Sequence, residues 1–182
     1  MLFRSNPAPV MVKILNQIEN IKLDKGTKNF QPSNLEITKI NIDNHADNVI
    51  PGSANAVFNI RYNDKHSSSS LKRKLNKIFR SITKIAKCKF NIKYEVSGEA
   101  FLTKPNKTTF MIQNTIKKIT RIRPKLSTAG GTSDARFIRK IAPCLEFGLV
   151  GKTMHKIDES VPLPDLKKLT NIYLNILENY FR

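Results

Sequence analysis

Two short runs of this sequence carry residue types that could hold an oxygen-rich ligand or a metal. Gly130-Gly-Thr-Ser-Asp-Ala-Arg136 sets two glycines before two hydroxyls. Glycine lets backbone N–H groups approach a ligand, and Thr132 and Ser133 add hydroxyl donors beside Gly131. A helix starting just after them would point its N-terminal dipole at a carboxylate. On local physics alone the plainer reading is stronger: a Gly-rich turn whose Ser or Asp caps a helix. No Gly-Lys-Ser/Thr follows at P-loop spacing, so the run is not a P-loop. The second run, Gly148-Leu-Val-Gly-Lys-Thr-Met-His155-Lys-Ile-Asp-Glu159, puts a histidine in a loop after a short apolar stretch. A neutral imidazole there could ligate zinc at about 2.0–2.1 Å, but zinc takes three or four ligands. No other His or Cys stands at ligand spacing from His155. His45 and His66 fall in polar loops and read as solvated side chains, and Glu146 as a residue turned into the fold. Arg61 lies on the polar face of an alternating segment, where its planar fork could grip a carboxylate bidentately or stand exposed.

The elements that would position these residues are legible from periodicity. Val10, Ile14, Ile18 and Ile21 predict a helix from about Pro9 to Leu23, stopped at Asp24-Lys-Gly26 with the glycine as left-handed cap. Leu35, Ile37, Ile40 and Ile42 alternate with one slipped step, which predicts a strand with a bulge. Ala54 to Tyr62 alternates throughout, save for Val57. After Ser67–Ser70, the stripe Leu71, Leu75, Ile78, Ile82, Ile85 predicts an amphipathic helix with Lys and Arg opposite it. Phe90, Ile92, Tyr94 and Val96 then predict a further strand. This α-β-β-α-β order is a βαββαβ ferredoxin-like sandwich without its first strand, which would precede Met1.

Beyond Ser97-Gly98 and Lys104-Pro105 the pattern predicts a helix from about Lys107 to Arg121 and a poor strand at Lys125–Thr128. A short helix through Arg139, a strand from Cys144 to Leu149 and a closing helix from Pro164 follow. The closing helix should bury Leu166, Leu169, Tyr173, Ile176, Leu177 and Tyr180. One good strand and one poor one cannot form an independent sheet, so this half reads as the end of a larger α/β domain.

Composition narrows the class. The 182 residues are 40% hydrophobic and 25% charged, as a globular protein requires, and no apolar run approaches the roughly 18 residues of a membrane span. The start, Met1-Leu-Phe-Arg-Ser-Asn-Pro, has no secretory h-region, and Cys88 and Cys144 form neither a CxxC pair nor a disulfide framework. A cytoplasmic setting is the expectation. Thirty-two Lys+Arg against 14 Asp+Glu give +18, which invites a nucleic-acid reading. The cations, however, are spread along the chain among Asn and Ile, and the aromatics do not interleave with them as a stacking platform would. Nucleic acid and membrane are therefore not expected partners.

Taken in order, Asn48-Val-Ile-Pro51, Phe58-Asn-Ile-Arg-Tyr62, Phe101-Leu-Thr-Lys-Pro105, Gly130-Gly-Thr-Ser-Asp-Ala-Arg-Phe137, Glu146-Phe-Gly148 and Met154-His-Lys-Ile-Asp-Glu159 form a series. That series resembles the succinyl-diaminopimelate desuccinylase family from about Asn6 onward. The Gly-Thr-Ser-Asp-Ala-Arg-Phe and Met-His-Lys-Ile-Asp-Glu runs favour it over an acetylornithine deacetylase or aminoacylase of the same clan. The resemblance implies an α/β fold with an α+β lid: an incomplete ferredoxin-like dimerisation domain over residues 1–98, lacking its first strand. Residues 99–182 would then be the C-terminal part of a zinc-hydrolase α/β catalytic domain. It implies a two-zinc enzyme, with cobalt as an alternative metal, that cleaves the amide of N-succinyl-LL-2,6-diaminopimelate to succinate and diaminopimelate. His155 would be the C-terminal zinc ligand; Arg61, Gly131, Thr132 and Ser133 would contact substrate carboxylates, and Asn48 would reach the partner subunit's site.

Two positions depart from the family pattern. Asp47 stands where the family often has a second Asn, and Gly151 where an Asn can contact substrate. The remaining zinc ligands, the catalytic glutamate and a lid histidine would all precede Met1. The expectation is a fragment, inactive alone, carrying no catalytic residue and not holding both metals by itself. It would form a homodimer through the lid or work beside an N-terminal half supplied as a separate chain. The alternative in a different class is a non-catalytic dimerisation or interaction module, and behind it a basic nucleic-acid-binding protein.

Overall fold

The computed structural model describes residues 6–130 and 133–182. They form a mixed α/β protein whose regular elements, among the described residues, are five helices and a two-stranded sheet. The chain divides into two compact units, one ending at Phe101 and the other beginning at Leu102.

In the first unit, α1 (Pro7–Glu19) begins where the Asn6 side chain accepts from the Ala8 amide at 3.0 Å, with proline at the first helical position. Both are favoured starts, since they satisfy or remove orphan N–H groups. The helix closes at Asn20 rather than at Gly26 as the periodicity predicts. Gly26 instead takes φ +82° in a turn where an added Cβ would lie 2.9 Å from the Phe30 carbonyl oxygen. β1 (Asn34–Asn41) pairs antiparallel with β2 (Asn55–Arg61), from Asn34 opposite Arg61 to Asn41 opposite Asn55. The register slips between Ile37 and Lys39, which is the expected bulge.

α2 (Ser68–Ala86) opens on a capping box between Ser67 and Ser70, and closes where Lys87 takes a left-handed φ of 52°. It buries Leu71, Leu75, Phe79 and Thr83. Ile85, predicted on the apolar stripe, is 85% exposed because it lies past the part of the helix that meets α1 and the sheet. Leu15, Ile18, Leu75 and Phe79 form the core cluster, with Leu35, Ile37, Phe58, Ile60, Phe90, Ile92 and Tyr94 packed against it. Residues 90–95 hold the predicted alternation of facing, but Val96, expected on the inner face, is exposed, and the segment belongs to no ladder among the described residues. A strand is defined by its neighbours, and none of the described residues pairs with this segment.

The second unit is built on α3 (Lys107–Thr120) and α5 (Leu163–Phe181), with the single turn α4 (Ala135–Ile138) between them. Asn106 and Thr109 form a capping box on α3, and Asn179 donates to the Thr115 hydroxyl at 3.1 Å, tying α5 to α3. The strands expected at Lys125–Thr128 and Cys144–Leu149 are irregular here. Neither has a partner strand among the described residues, and an isolated strand cannot satisfy its backbone groups. α5 buries only Ile172; Leu166, Tyr173, Leu177 and Tyr180 are exposed, contrary to the sequence pattern. Its apolar stripe is wider than the face α3 covers.

Candidate functional site

In the first unit, Asn48 sits in the exposed turn between the strands. The Asn44 side-chain amide donates to the carbonyls of Ala46 at 3.0 Å and Val49 at 2.7 Å, and the Val49 amide donates to Ala46 at 3.2 Å. These bonds fold the loop back on itself and present Asn48 outward. Arg61 ends β2 opposite Asn34, exposed on the polar face that the alternation assigns it. Its guanidinium is thus available to a carboxylate.

The turn after Arg61 contains a polar cluster that the sequence reading missed. Asp24 accepts from the Gly26 amide at 2.6 Å, the Asn63 side-chain amide at 2.7 Å and the Ser33 amide at 3.3 Å. His66 Nε2 lies 3.1 Å from its other carboxylate oxygen. Burial by itself would raise the Asp24 carboxyl, but hydrogen bonds from Ser33, Gly26 and Asn63 outweigh it and hold the group well below the usual carboxylate range. His66 is therefore not the solvated loop residue expected: its side chain is 16% exposed. His45 is, at 95%. No local motif announces this cluster, because its members span 42 residues of chain. It fixes the turn that follows Arg61.

In the second unit, Gly131 and Thr132 lie outside the described residues. Ser133 accepts from the Ala135 amide at 3.2 Å, and its carbonyl accepts from Arg136. Asp134 makes no side-chain cap. The turn-and-cap reading of this run therefore describes the Ser133 hydroxyl as it stands.

His155 occupies a left-handed backbone position, φ 62°, in an exposed loop. A non-glycine residue is uncommon there, histidine less so than most. The Glu159 carboxylate accepts from the His155 amide at 3.2 Å. Thr153 clamps the loop by donating to the Ser160 carbonyl at 2.8 Å and accepting from its amide at 2.9 Å. The loop is thus held by its own residues, and it holds the imidazole at the surface. Gly151 lies inside the same loop, where an added Cβ would fall 2.5 Å from the Met154 methyl carbon. A larger residue there would have to push Met154 aside. Among the described residues no three His, Cys, Asp or Glu side chains come together as a metal-binding group.

The sequence is similar to known proteins over nearly all its length. The model of the peptidase dimerisation domain matches residues 3–87, the region holding α1, the β1–β2 hairpin and α2. A succinyl-diaminopimelate desuccinylase of Pelagibacter ubique is 73% identical over 176 residues, covering 97% of this chain and 46% of the relative. The corresponding proteins of Parvibaculum lavamentivorans and Rickettsia bellii are 46% and 43% identical, over 97% and 95% of this chain and 45% and 44% of their own lengths. The chain spans about half the length of the curated relatives it matches. The match to the dimerisation-domain model covers most of the first unit, and the similarity to the desuccinylases extends through the second. No helix among the described residues is long and apolar enough to cross a membrane.

Proposed function

We propose that this chain is the C-terminal part of a zinc-dependent succinyl-diaminopimelate desuccinylase, made of the lid over residues 1–98 and the end of the catalytic domain over residues 99–182. The observation that carries the reading is the match of 97% of the chain, at 73% identity, to under half of one such enzyme. In the assembled enzyme Arg61 grips a substrate carboxylate by its planar fork, and Asn48, on its stapled loop, reaches a neighbouring subunit's substrate. Ser133, with Gly131 and Thr132, contacts a substrate carboxylate. His155 is one ligand to one metal. When bound, such a two-metal centre would supply Lewis-acid activation for amide hydrolysis.

This chain's donors do not fit such a centre alone. Two ions roughly 3.5–4 Å apart need several ligands and a general base, and one histidine supplies neither. The chain by itself is therefore inactive, and the rest of the enzyme has to come from elsewhere. The test is zinc-dependent release of succinate from N-succinyl-LL-2,6-diaminopimelate, with and without the remaining half of the Pelagibacter relative co-expressed. Activity only in the co-expressed sample supports the reading; activity of the 182-residue chain alone overturns it.

A second reading rests on the dimerisation-domain match: a non-catalytic module that pairs two subunits in the cytoplasm. A defined homodimer on sedimentation, with no activity under co-expression, favours it.

A further inference from the structure

Arg61 is the last residue of β2, and the final rung of the ladder sets it opposite Asn34. A strand end held only by its ladder opens more readily than the middle of the strand. Here the chain is pinned just past that rung. The Asn63 amide donates to the Ser33 hydroxyl at 3.0 Å, so the two strands are tied again beyond the pair Asn34–Arg61. The alternation along β2 would return the side chain at 63 to solvent with Arg61, yet Asn63 is only 2% exposed.

Burial of so polar a side chain is possible because its hydrogen-bonding groups are all used. The Asn63 side-chain amide donates to Asp24 Oδ1 at 2.7 Å and to the Gln31 carbonyl at 3.0 Å, while its own Oδ1 accepts from the Lys65 amide at 3.0 Å. The His66 amide donates to the Asn63 carbonyl at 3.2 Å. Asp24, which takes one of these protons, is itself fixed by the Gly26 and Ser33 amides. The position calls for asparagine, with two side-chain donors and an acceptor. An aspartate would bring no donor when ionised and would face the Asp24 carboxylate. Both side-chain protons of Asn63 are spent inside the fold, and none is left for a ligand.

We propose that Asn63, anchored on Asp24, is a positioning residue for Arg61: it holds the end of β2 so that the guanidinium meets a substrate carboxylate, and it does not itself touch substrate. The proposal rests on the reading of Arg61 as the carboxylate grip. The Arg61 side chain is exposed, so the backbone beneath it sets where its fork can reach. A bidentate fork tolerates little displacement, and moving a positioned group by about 1 Å can cost on the order of a hundredfold. Through one asparagine, the turn that follows α1 thus acts on the residue that ends β2.

The experiment measures succinate release by the chain co-expressed with the remaining half of the Pelagibacter relative, for Asn63→Ala, Arg61→Lys and the double variant. Asn63→Ala should raise KM about tenfold, with kcat within a factor of about two of the parent. In the Arg61→Lys background the same change should raise KM by less than about twofold, because a residue acting through Arg61 has little left to act on. A general weakening of the fold would cost the same in both backgrounds, and that outcome overturns the proposal, as does an unmoved KM in Asn63→Ala. Arg61→Lys without effect on KM removes the carboxylate grip itself, and the proposal with it. In the isolated chain, Asn63→Ala should speed amide exchange at residues 60–62 about tenfold and leave 56–58 as in the parent. Ser33→Ala removes only the hydroxyl that accepts from the Asn63 amide, and it should speed the same residues even if Asn63→Ala fails to fold. Unchanged exchange at 60–62 overturns the proposal whatever the enzyme does.

Discussion

The Tyr62 hydroxyl lies 3.2 Å from a Glu99 carboxylate oxygen, joining the end of β2 to the end of the extended segment 37 residues later. The Gly98 carbonyl lies 3.0 Å from the same hydroxyl as a second acceptor for its one proton, and Glu99 accepts from the Ser68 amide in the first turn of α2. A carboxylate at a helix N-terminus meets unpaired N–H groups and the positive end of the dipole. One acidic residue thus holds three pieces of the first unit in register.

That contact should show in alkaline unfolding. Burial, then the Glu99 charge and its hydrogen bond, push the Tyr62 phenol up to about 12. A raised folded value means the contribution is full below the unfolded value of about 10 and is lost as pH rises through about 12. Circular-dichroism melts between those limits should show falling stability. Tyr62→Phe should flatten that slope and cost about 1 kcal/mol at neutral pH. An unchanged slope in the variant would remove Tyr62 as its source.

Asp24 predicts the opposite limb. Its carboxyl is held low by the hydrogen bonds it accepts, so its contribution is present above the unfolded value of about 4 and lost as pH falls below it. Asp24→Ala should cost about 2 kcal/mol at neutral pH, because the Asn63 side chain and the Ser33 and Gly26 amides lose a charged acceptor. The penalty should shrink on acidification. Urea melts at pH 7 and pH 3 check it; an equal penalty at both would assign the loss to packing.

Arg61 separates binding from chemistry. In the co-expressed two-part enzyme, Arg61→Lys keeps the charge and loses the bidentate fork, and KM should rise about tenfold with kcat nearly unchanged. Since the residue is exposed at the end of β2, the melting point of the chain should not move. Loss of kcat alone would contradict the substrate-gripping role.

His155→Ala should leave the stability of the isolated chain within about 0.5 kcal/mol, because the side chain is exposed. In the co-expressed enzyme the same change should lower zinc-dependent turnover about a hundredfold or more, beyond what loss of an outer partner of a ligand costs. Turnover within a factor of about three of the parent would remove His155 from the metal.

α5 offers a test of assembly. Leu174 is 54% exposed on a helix whose apolar stripe exceeds its cover, so Leu174→Glu should be nearly neutral for the isolated chain, within about 0.5 kcal/mol. It should block co-purification with the other half of the enzyme. Normal co-purification would show that this stripe is not where that half docks.

The sequence by itself determined the helices, the bulged hairpin and the facing of residues 90–95. Each follows from local periodicity or from caps such as Asn6, Ser67 and Asn106, and local signals survive without a partner. It also carried the family resemblance, through ordered motifs that span nearly the whole chain. Tertiary structure alone decided what pairs and what is buried. Phe90, Ile92 and Tyr94 alternate as a strand yet have no ladder among the described residues, and Leu166, Tyr173, Leu177 and Tyr180 follow a buried pattern yet stand exposed. His66, read as solvated, is gathered against Asp24 across 42 residues. Hydrophobic spacing records which face expects a neighbour; only the folded arrangement shows whether one is there, because pairing and burial depend on residues distant in the chain.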